Sequence, residues 1–420
     1  MNVSILIPSR NGIELLDWAY KSIRKNQGNH NVEILVLDDN SDKDDTWDWC
    51  HTAMQVDPKF RAFRNTGDRL GISGGYKFLA QQATKDVICH WHNDMFMTEG
   101  TLDKVQDQLH YYGWDDCDNQ LMWPLTEIVV CLTRIEPPIY PSGPEKITWK
   151  GGPVDFDDWD EQKFLDYLPL AEKEWAGKTT SGHFAPFFMF KSEYDKLGGN
   201  DIQHFPLQSR EDSDWAFRLV LAGYKTIQIP KFVFHFASRG NRRSKHETTA
   251  TVDNPAWIEH NTKATRNFIR KWRTFDLHDE MLKPIPPKVY DVVCVVKNCT
   301  YNLMANLEPW FRMIEVDLPG GMVYDYISDE GSKSTYSIGE RVVFPGHISR
   351  HETPDMILSI DGSRFTGDDY FYIQKLSSII ADVEVGGEYE IGTMRLKVNN
   401  LKQYQNDLII CNNDPLSLPE

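Results

Sequence analysis

The chain has 420 residues, 40% of them hydrophobic and 25% charged, and a formal net charge of −17. This is an ordinary globular composition on a length that accommodates two or three domains, and its acidic balance argues against non-specific binding to a phosphate backbone. No apolar run approaches the ~20 residues needed to span a bilayer, and the N-terminus enters a strand pattern without a signal-peptide layout. Cys50, Cys89, Cys117, Cys131, Cys294, Cys299 and Cys411 form no CxxC pair, which points to reduced thiols in the cytoplasm rather than a disulfide scaffold or a zinc site.

In chain order, Val3–Ile7 is a short aliphatic run ending at Pro8-Ser9-Arg10-Asn11-Gly12. From Ile13 the apolar spacing (Ile13, Leu16, Ala19, Tyr20, Ile23) predicts a helix, and Val32–Leu37 is a second buried-type strand closed by Asp38-Asp39-Asn40-Ser41. Two such strands joined by a helix make a βαβ unit. An acid closing the second strand is well placed to hold a ribose hydroxyl or a base edge. The stretch Asn65–Gly75 puts glycines ahead of a helix expected from Tyr76 to about Thr84, where backbone can approach a ligand and a helix N-terminus attracts phosphate. Its spacing is not GxGxxG and it follows the second strand, which disfavours a Rossmann dehydrogenase.

Val87-Ile88-Cys89-His90-Trp91 then stops abruptly in His92-Asn93-Asp94. Asn and Asp are good turn formers, but polar groups at the carboxyl end of a buried strand also lie where open α/β sheets place ligands. A helix is expected over 101–111. Residues 113–180 carry loop signals and the acid-rich run Asp155–Glu161 with Phe156 and Trp159. That run reads either as a solvated loop or as an acceptor-side lid. Glu211-Asp212-Ser213-Asp214 opens a helix, where acids complement the dipole. After it come Arg218, Gly223, a strand to Ile229-Pro230, Phe234-His235, and the basic stretch Ser238–Lys245.

Taken in this order, the motifs over roughly residues 1–275 resemble the GT-A glycosyltransferases of family 2. The resemblance rests on the opening strand with Pro8, on Leu37–Ser41, on Asn65–Gly75, on His92-Asn93-Asp94, and on Glu211–Asp214 followed by Arg218, His235 and Asn267–Trp272. It implies an α/β GT-A domain (a Rossmann-like nucleotide-diphospho-sugar transferase fold) and a manganese or magnesium cofactor. By it, His92-Asn93-Asp94 stands where the family has Asp-x-Asp, often Asn-x-Asp in the rhamnosyltransferase-like branch; His92 is a departure. Asp94, His235 and His92 become the expected metal ligands, hard cations favouring carboxylate oxygen. Donor contacts are expected from Pro8, Arg10, Asp38, Asp39, Arg69, Gly74, His92 and Asn93, and from Arg239, Arg242 and Arg243 in a loop suited to closing over phosphates. Asp212 is the expected base toward the acceptor hydroxyl, with Glu211 in reserve. Inversion by single displacement, from a nucleotide-diphosphate sugar to an acceptor such as a glycan hydroxyl, is the expected reaction.

Lys283–Lys288 is Pro-rich and reads as a stiff linker. The expected division is therefore a GT-A domain at 1–282, a linker at 283–288, and a smaller, mainly β accessory domain at 289–420. The runs 289–296, 341–344, 356–360 and 383–398 supply its strands. A β-sandwich or small barrel serving acceptor binding or homo-oligomerisation is expected. Three competing readings follow from the same residues. A nucleotidyltransferase would need a Gly-rich, Arg-containing loop directly after the first strand, which Pro8–Gly12 lacks. A degenerate, non-catalytic sugar-nucleotide-binding module is suggested by His92, and a modified nucleic-acid base as acceptor runs against the acidic balance.

Overall fold

Successive residues of the first strand point to opposite faces of a sheet, and here both faces are covered. In the computed structural model, which describes residues 1–111, 114–115, 120–121, 126–175, 180–237, 255–412 and 414–419, Ile5, Leu6 and Ile7 are all fully buried. Ile5 and Ile7 face one core with Leu16 and Ile23, while Leu6 faces another with Tyr76 and Leu79. A run apolar at every position is what a parallel strand between two helical layers requires.

The first unit runs β1 (Asn2–Ser9), α1 (Ile13–Asn26), β2 (Asn31–Asp39), α2 (Thr46–Val56), β3 (Phe60–Asn65), α3 (Gly71–Gln82), β4 (Val87–His90), β5 (Met95–Met97) and α4 (Thr101–Tyr111). A small hairpin, β6 (Trp114–Asp115) and β7 (Gln120–Leu121), precedes β8 (Ile128–Glu136), β9 (Lys146–Thr148), α5 (Glu161–Trp175), β10 (Phe187–Phe190) and α6 (Lys191–Lys196). Then come α7 (Glu211–Leu221), β11 (Lys225–His235) and α8 (Pro255–Trp272). Nine of these strands form one sheet in the order β3-β2-β1-β4-β10-β8-β11-β5, with β9 added to β8. β1 is parallel to β2 and β4, and β2 to β3, so their carboxyl ends open on one side. β10 is antiparallel to both its neighbours, and β5 is antiparallel to β11.

The second unit also has a sheet: β12 (Val292–Lys297), β13 (Met313–Val316), β14 (Val342–Val343), β15 (Met356–Asp361), β16 (Glu388–Ile391) and β17 (Met394–Val398). It is neither sandwich nor barrel. Its order is β14-β13-β12-β15-β17-β16, with the first four strands parallel and a β16–β17 hairpin on the edge. Parallel strands need crossovers, supplied by helices α9 (Tyr301–Leu307), α10 (Gly320–Gly331), α11 (Ile338–Arg341) and α12 (His347–His351), and α13 (Gly367–Gln374) and α14 (Leu376–Ile380) follow β15. The four parallel strands repeat the order β3-β2-β1-β4 of the first sheet.

Two features tie the units together. On α8, Arg270 reaches Glu308 at 2.6 Å, and Glu308 also takes a bond from Arg341; all three are almost wholly buried. After β17 the chain returns to the first unit. Arg218 donates to the Ile409 carbonyl at 2.7 Å, Leu416 N–H donates to Gln81 at 2.9 Å, and Leu416 and Leu418 pack against the core beneath α3. Among the described residues, no helix is long and apolar enough to cross a membrane.

Candidate active site

A cleft of about 1160 Å³ opens at the carboxyl ends of β1, β2 and β4. Its floor is built where β4 ends. Trp91 is fully buried, its N–H bonded to the Leu6 carbonyl at 3.0 Å and its carbonyl accepting from Tyr76 Oη at 3.1 Å. The Trp91 indole closes the turn onto the Met95 carbonyl at 3.3 Å, which turns His92, Asn93 and Asp94 into the cleft. Asn93 donates to Ser9 Oγ at 3.0 Å. The next strand supplies the distant partner. β5 pairs with β11 so that Met95 lies opposite His235, and Phe236 N–H donates to the Asp94 carbonyl at 3.1 Å. His235 Nε2 thereby comes within 3.5 Å of Asp94 Oδ1.

The ligand atoms of His92, Asp94 and His235 lie within 4.8 Å of one another. Two imidazoles and a carboxylate form a mixed N/O set able to hold a divalent cation. His92 is held neutral: burial first, then His235 and Arg134, push its imidazole down to about 3. Behind His235 stands Glu136, which the motif reading missed, 2.8 Å from Nδ1. Burial works to raise the Glu136 carboxyl, and Arg134, His235 and Lys146 outweigh it, leaving it well below the ordinary carboxylate range. A second acid group, Asp201 and Asp214 with Cys411, is filled by the Lys271 ammonium at 2.6 Å from each carboxylate. That cluster is an internal ion pair.

The donor-side expectations divide. Pro8, Arg10, Asp39, Arg69, His92 and Asn93 line the cleft. Asp39 is nevertheless occupied with its own wall: Oδ1 accepts from Asn65 Nδ2 at 2.8 Å and Leu70 N–H at 2.9 Å, and Oδ2 accepts from Gly71 N–H at 2.8 Å. It fastens the 65–71 loop and sets Arg69 at the rim. Arg10 lines the cleft while paired with Asp42 at 2.9 Å. Asp38 falls on the other face of β2, fully buried, with Oδ1 accepting from Ser41 N–H at 3.1 Å. Gly74 is likewise away from the cleft. The helix starts at Gly71, earlier than expected, which places Gly74 inside its first turns under Leu70, and Gly75 against Pro8. Gly75 serves close helix–strand packing, and Gly74 makes room for Leu70 at the head of its own helix. Arg239, Arg242 and Arg243 lie outside the described residues.

The facing wall is the start of α7. Ser209 and Arg210 precede it with φ of 75° and 68°, a left-handed conformation costing on the order of 1–3 kcal/mol per residue. α8 and the segment beyond it hold them there: Ser209 donates to Asn261 at 2.5 Å, Arg210 Nε to Thr265 at 3.1 Å, and Arg210 Nη1 to Asp276. This projects Glu211 and Asp212 into the cleft. Asp212 is exposed and accepts from Ser213 N–H at 2.7 Å. Glu211 turns inward; its Oε2 is buried without a hydrogen-bond partner, and burial together with the Asp212 charge raises its carboxyl to about 8. Phe156, Trp257 and His260 complete the wall. The acid-rich loop is pinned by Trp159, whose ring lies 4.9 Å from Trp18 and 4.8 Å from Phe234.

A cleft at the carboxyl ends of a sheet of this order, floored by an acid–imidazole group, lies where open α/β folds bind their ligands. The model of Glycosyl transferase family 2 matches residues 4–117, from β1 through the His92–Asp94 turn and α4. Among solved structures, the mannosyltransferase PcManGT from Pyrobaculum calidifontis, in complex with GDP-Man and Mn²⁺, is similar at 17% identity and a TM-score of 0.40, over 64% of this chain and 62% of that one. GalNAc-T7 with UDP, GalNAc and Mn²⁺ is similar at 17% identity and a TM-score of 0.41, over 64% of this chain and 48% of that one. TarS 1-349 of S. aureus in complex with UDP is similar at 12% identity and a TM-score of 0.40, over 66% and 67%. No curated protein matches the chain.

Proposed function

We propose that the protein is a divalent-cation-dependent, inverting glycosyltransferase that moves a sugar from a nucleotide-diphosphate donor to an acceptor hydroxyl, the acceptor being a glycan. The observation that carries this reading is the convergence of His92, Asp94 and His235 on the floor of a cleft whose opposite wall presents Asp212. Residues 1–282 form the catalytic unit, and the scattered cysteines, all six described ones free, support a cytoplasmic location.

The Asp39-fastened loop and Arg69 form the donor's nucleoside side, with Arg10 and Lys43 adding positive charge toward its phosphates. Asp94, His235 and His92 would hold a divalent cation, and it would supply Lewis-acid neutralisation of the departing diphosphate. Glu211 keeps its proton to about pH 8, which leaves acceptance of the acceptor's proton at neutral pH to Asp212. One base on one wall fits a single displacement with inversion. Phe156 and Trp257 offer apolar faces for a pyranose on the acceptor side.

The test is a panel of nucleotide sugars incubated with the protein and Mn²⁺ or EDTA, with glycan acceptors, and read by mass spectrometry. A glycosylated product formed with Mn²⁺ and lost with EDTA is expected. Donor binding without transfer or hydrolysis of any sugar would favour a non-catalytic module.

A further inference from the structure

Glu136 ends β8 beside the end of β11, since those strands run parallel with Ile135 opposite Phe234. The same register that brings His235 to Asp94 through β5 brings Glu136 to its other side. The carboxylate is 3% exposed, and among the described residues it meets nitrogen donors: Lys146 Nζ at 3.0 Å, Arg134 Nε at 3.5 Å, and His235 Nδ1 at 2.8 Å. A carboxylate so surrounded accepts and does not donate, so the hydrogen in the last bond sits on Nδ1. In the neutral imidazole the lone pair is then on Nε2, the atom 3.5 Å from Asp94 Oδ1.

We propose that Glu136 is a positioning residue that selects the Nδ1–H tautomer of His235, so that Nε2 presents its lone pair to a divalent cation shared with Asp94 and His92. The proposal rests on the cation reading given above and adds to it the group that makes His235 a competent ligand. Carboxylates in this relation to a ligating imidazole set its orientation and basicity, and their loss costs ~10–100-fold in metal affinity.

Glu136→Gln separates this role from simple packing. The amide has the shape of the carboxylate; with its oxygen kept on Lys146, the shorter of the two cation contacts, its NH₂ takes the place of Oε1, the atom that faces His235. Nδ1 must then accept, which moves the proton to Nε2, toward the cation site. Two measurements on the full chain test this. With UDP present, Mn²⁺ titration followed by electron paramagnetic resonance should show saturable binding by the wild type, weakening by ~10–100-fold in Glu136→Gln, and loss in Asp94→Ala. In the Mg²⁺–UDP form, ¹⁵N imidazole spectra, assigned against His235→Gln, should show Nδ1–H in the wild type and Nε2–H in Glu136→Gln.

Equal Mn²⁺ affinity in wild type and Glu136→Gln overturns the positioning role and leaves the cation site standing. A wild-type protein that binds no Mn²⁺, or an Asp94→Ala variant that binds it as well, overturns the cation reading and this proposal with it. Should Glu136→Gln fail to fold, the wild-type spectrum still decides, because a proton on Nε2 there is incompatible with the proposal.

Discussion

Asp212 and Glu211 are adjacent on the first turn of α7 yet are prepared for opposite duties. Asp212 stands in the open part of the cleft, whereas Glu211 has a buried oxygen with no partner and a carboxyl raised to about 8. Replacing Asp212 by Asn should therefore lower kcat by ~10²–10⁴ while UDP binding, read by calorimetry, stays at the wild-type level. Glu211 makes a different prediction through linkage. Its carboxyl is raised in the folded protein, so between an unfolded value near 4.5 and about 8 the native state holds a proton that the unfolded chain has released. Stability on this account is fully present below pH 4.5 and declines as pH rises to about 8. Glu211→Gln removes that decline, and its melting temperature should exceed the wild type's at pH 8, by an amount on the order of 2 °C, and converge with it near pH 5. Asp94, His92 and the two acids of α7 were legible because their residue types and chain order carry chemistry. Glu136 was not, because nothing local distinguishes it: its meaning comes from a strand register spanning 99 residues to His235.

Among the elements, the start of α3 joins the two walls of the cleft. Gly71 has φ +64°, and a Cβ there would lie 2.4 Å from the Leu207 backbone, whose carbonyl accepts from Ile72 N–H at 2.7 Å. Leu207 leads directly into the strained pair Ser209-Arg210 and so into Glu211. Gly71→Ala should thus destabilise the fold by about 1–3 kcal/mol and also depress turnover by displacing the α7 wall, measurable as a drop in melting temperature together with a loss of kcat. The glycine cluster was visible in the sequence as a device for close approach. What it approaches was not: the sequence suggested phosphate, while the partners are Leu207, Leu70 and Pro8. The expectation of a sandwich or barrel for the second unit failed for a related reason: its strands form one open sheet. Val292–Val296 is apolar at every position, the mark of a parallel strand, but three of its crossover helices are short, α9, α11 and α12 having seven, four and five residues, and their periodicity is too brief to stand out beside the clear alternation of Met394–Val398.

At the scale of the whole molecule, α8 carries clamps for the α7 wall on one side and the ion cluster with the second unit on the other. Glu308 is 1% exposed and compensates both Arg270 and Arg341. Glu308→Ala takes from Arg341 its carboxylate and from Arg270 one of its two, leaving it Glu330, and should cost roughly 3–5 kcal/mol. Because Arg266 and Arg270 of α8 both engage this cluster, thermal unfolding of the wild type should be a single transition, and Glu308→Ala should lower or split it in calorimetry.

The returning tail also sets an order of events during synthesis. Lys77 on α3 bonds to the Asn412 carbonyl, 335 residues further on. At ~5–20 residues per second, a ribosome takes roughly 20–70 s to make the segment that covers α3. During that interval the rest of the first sheet, through β11, is still being made, and the apolar surface of α3 destined for Leu416 and Leu418 faces solvent or a chaperone. The α3 side of the cleft is thus made well before the segment that seals it.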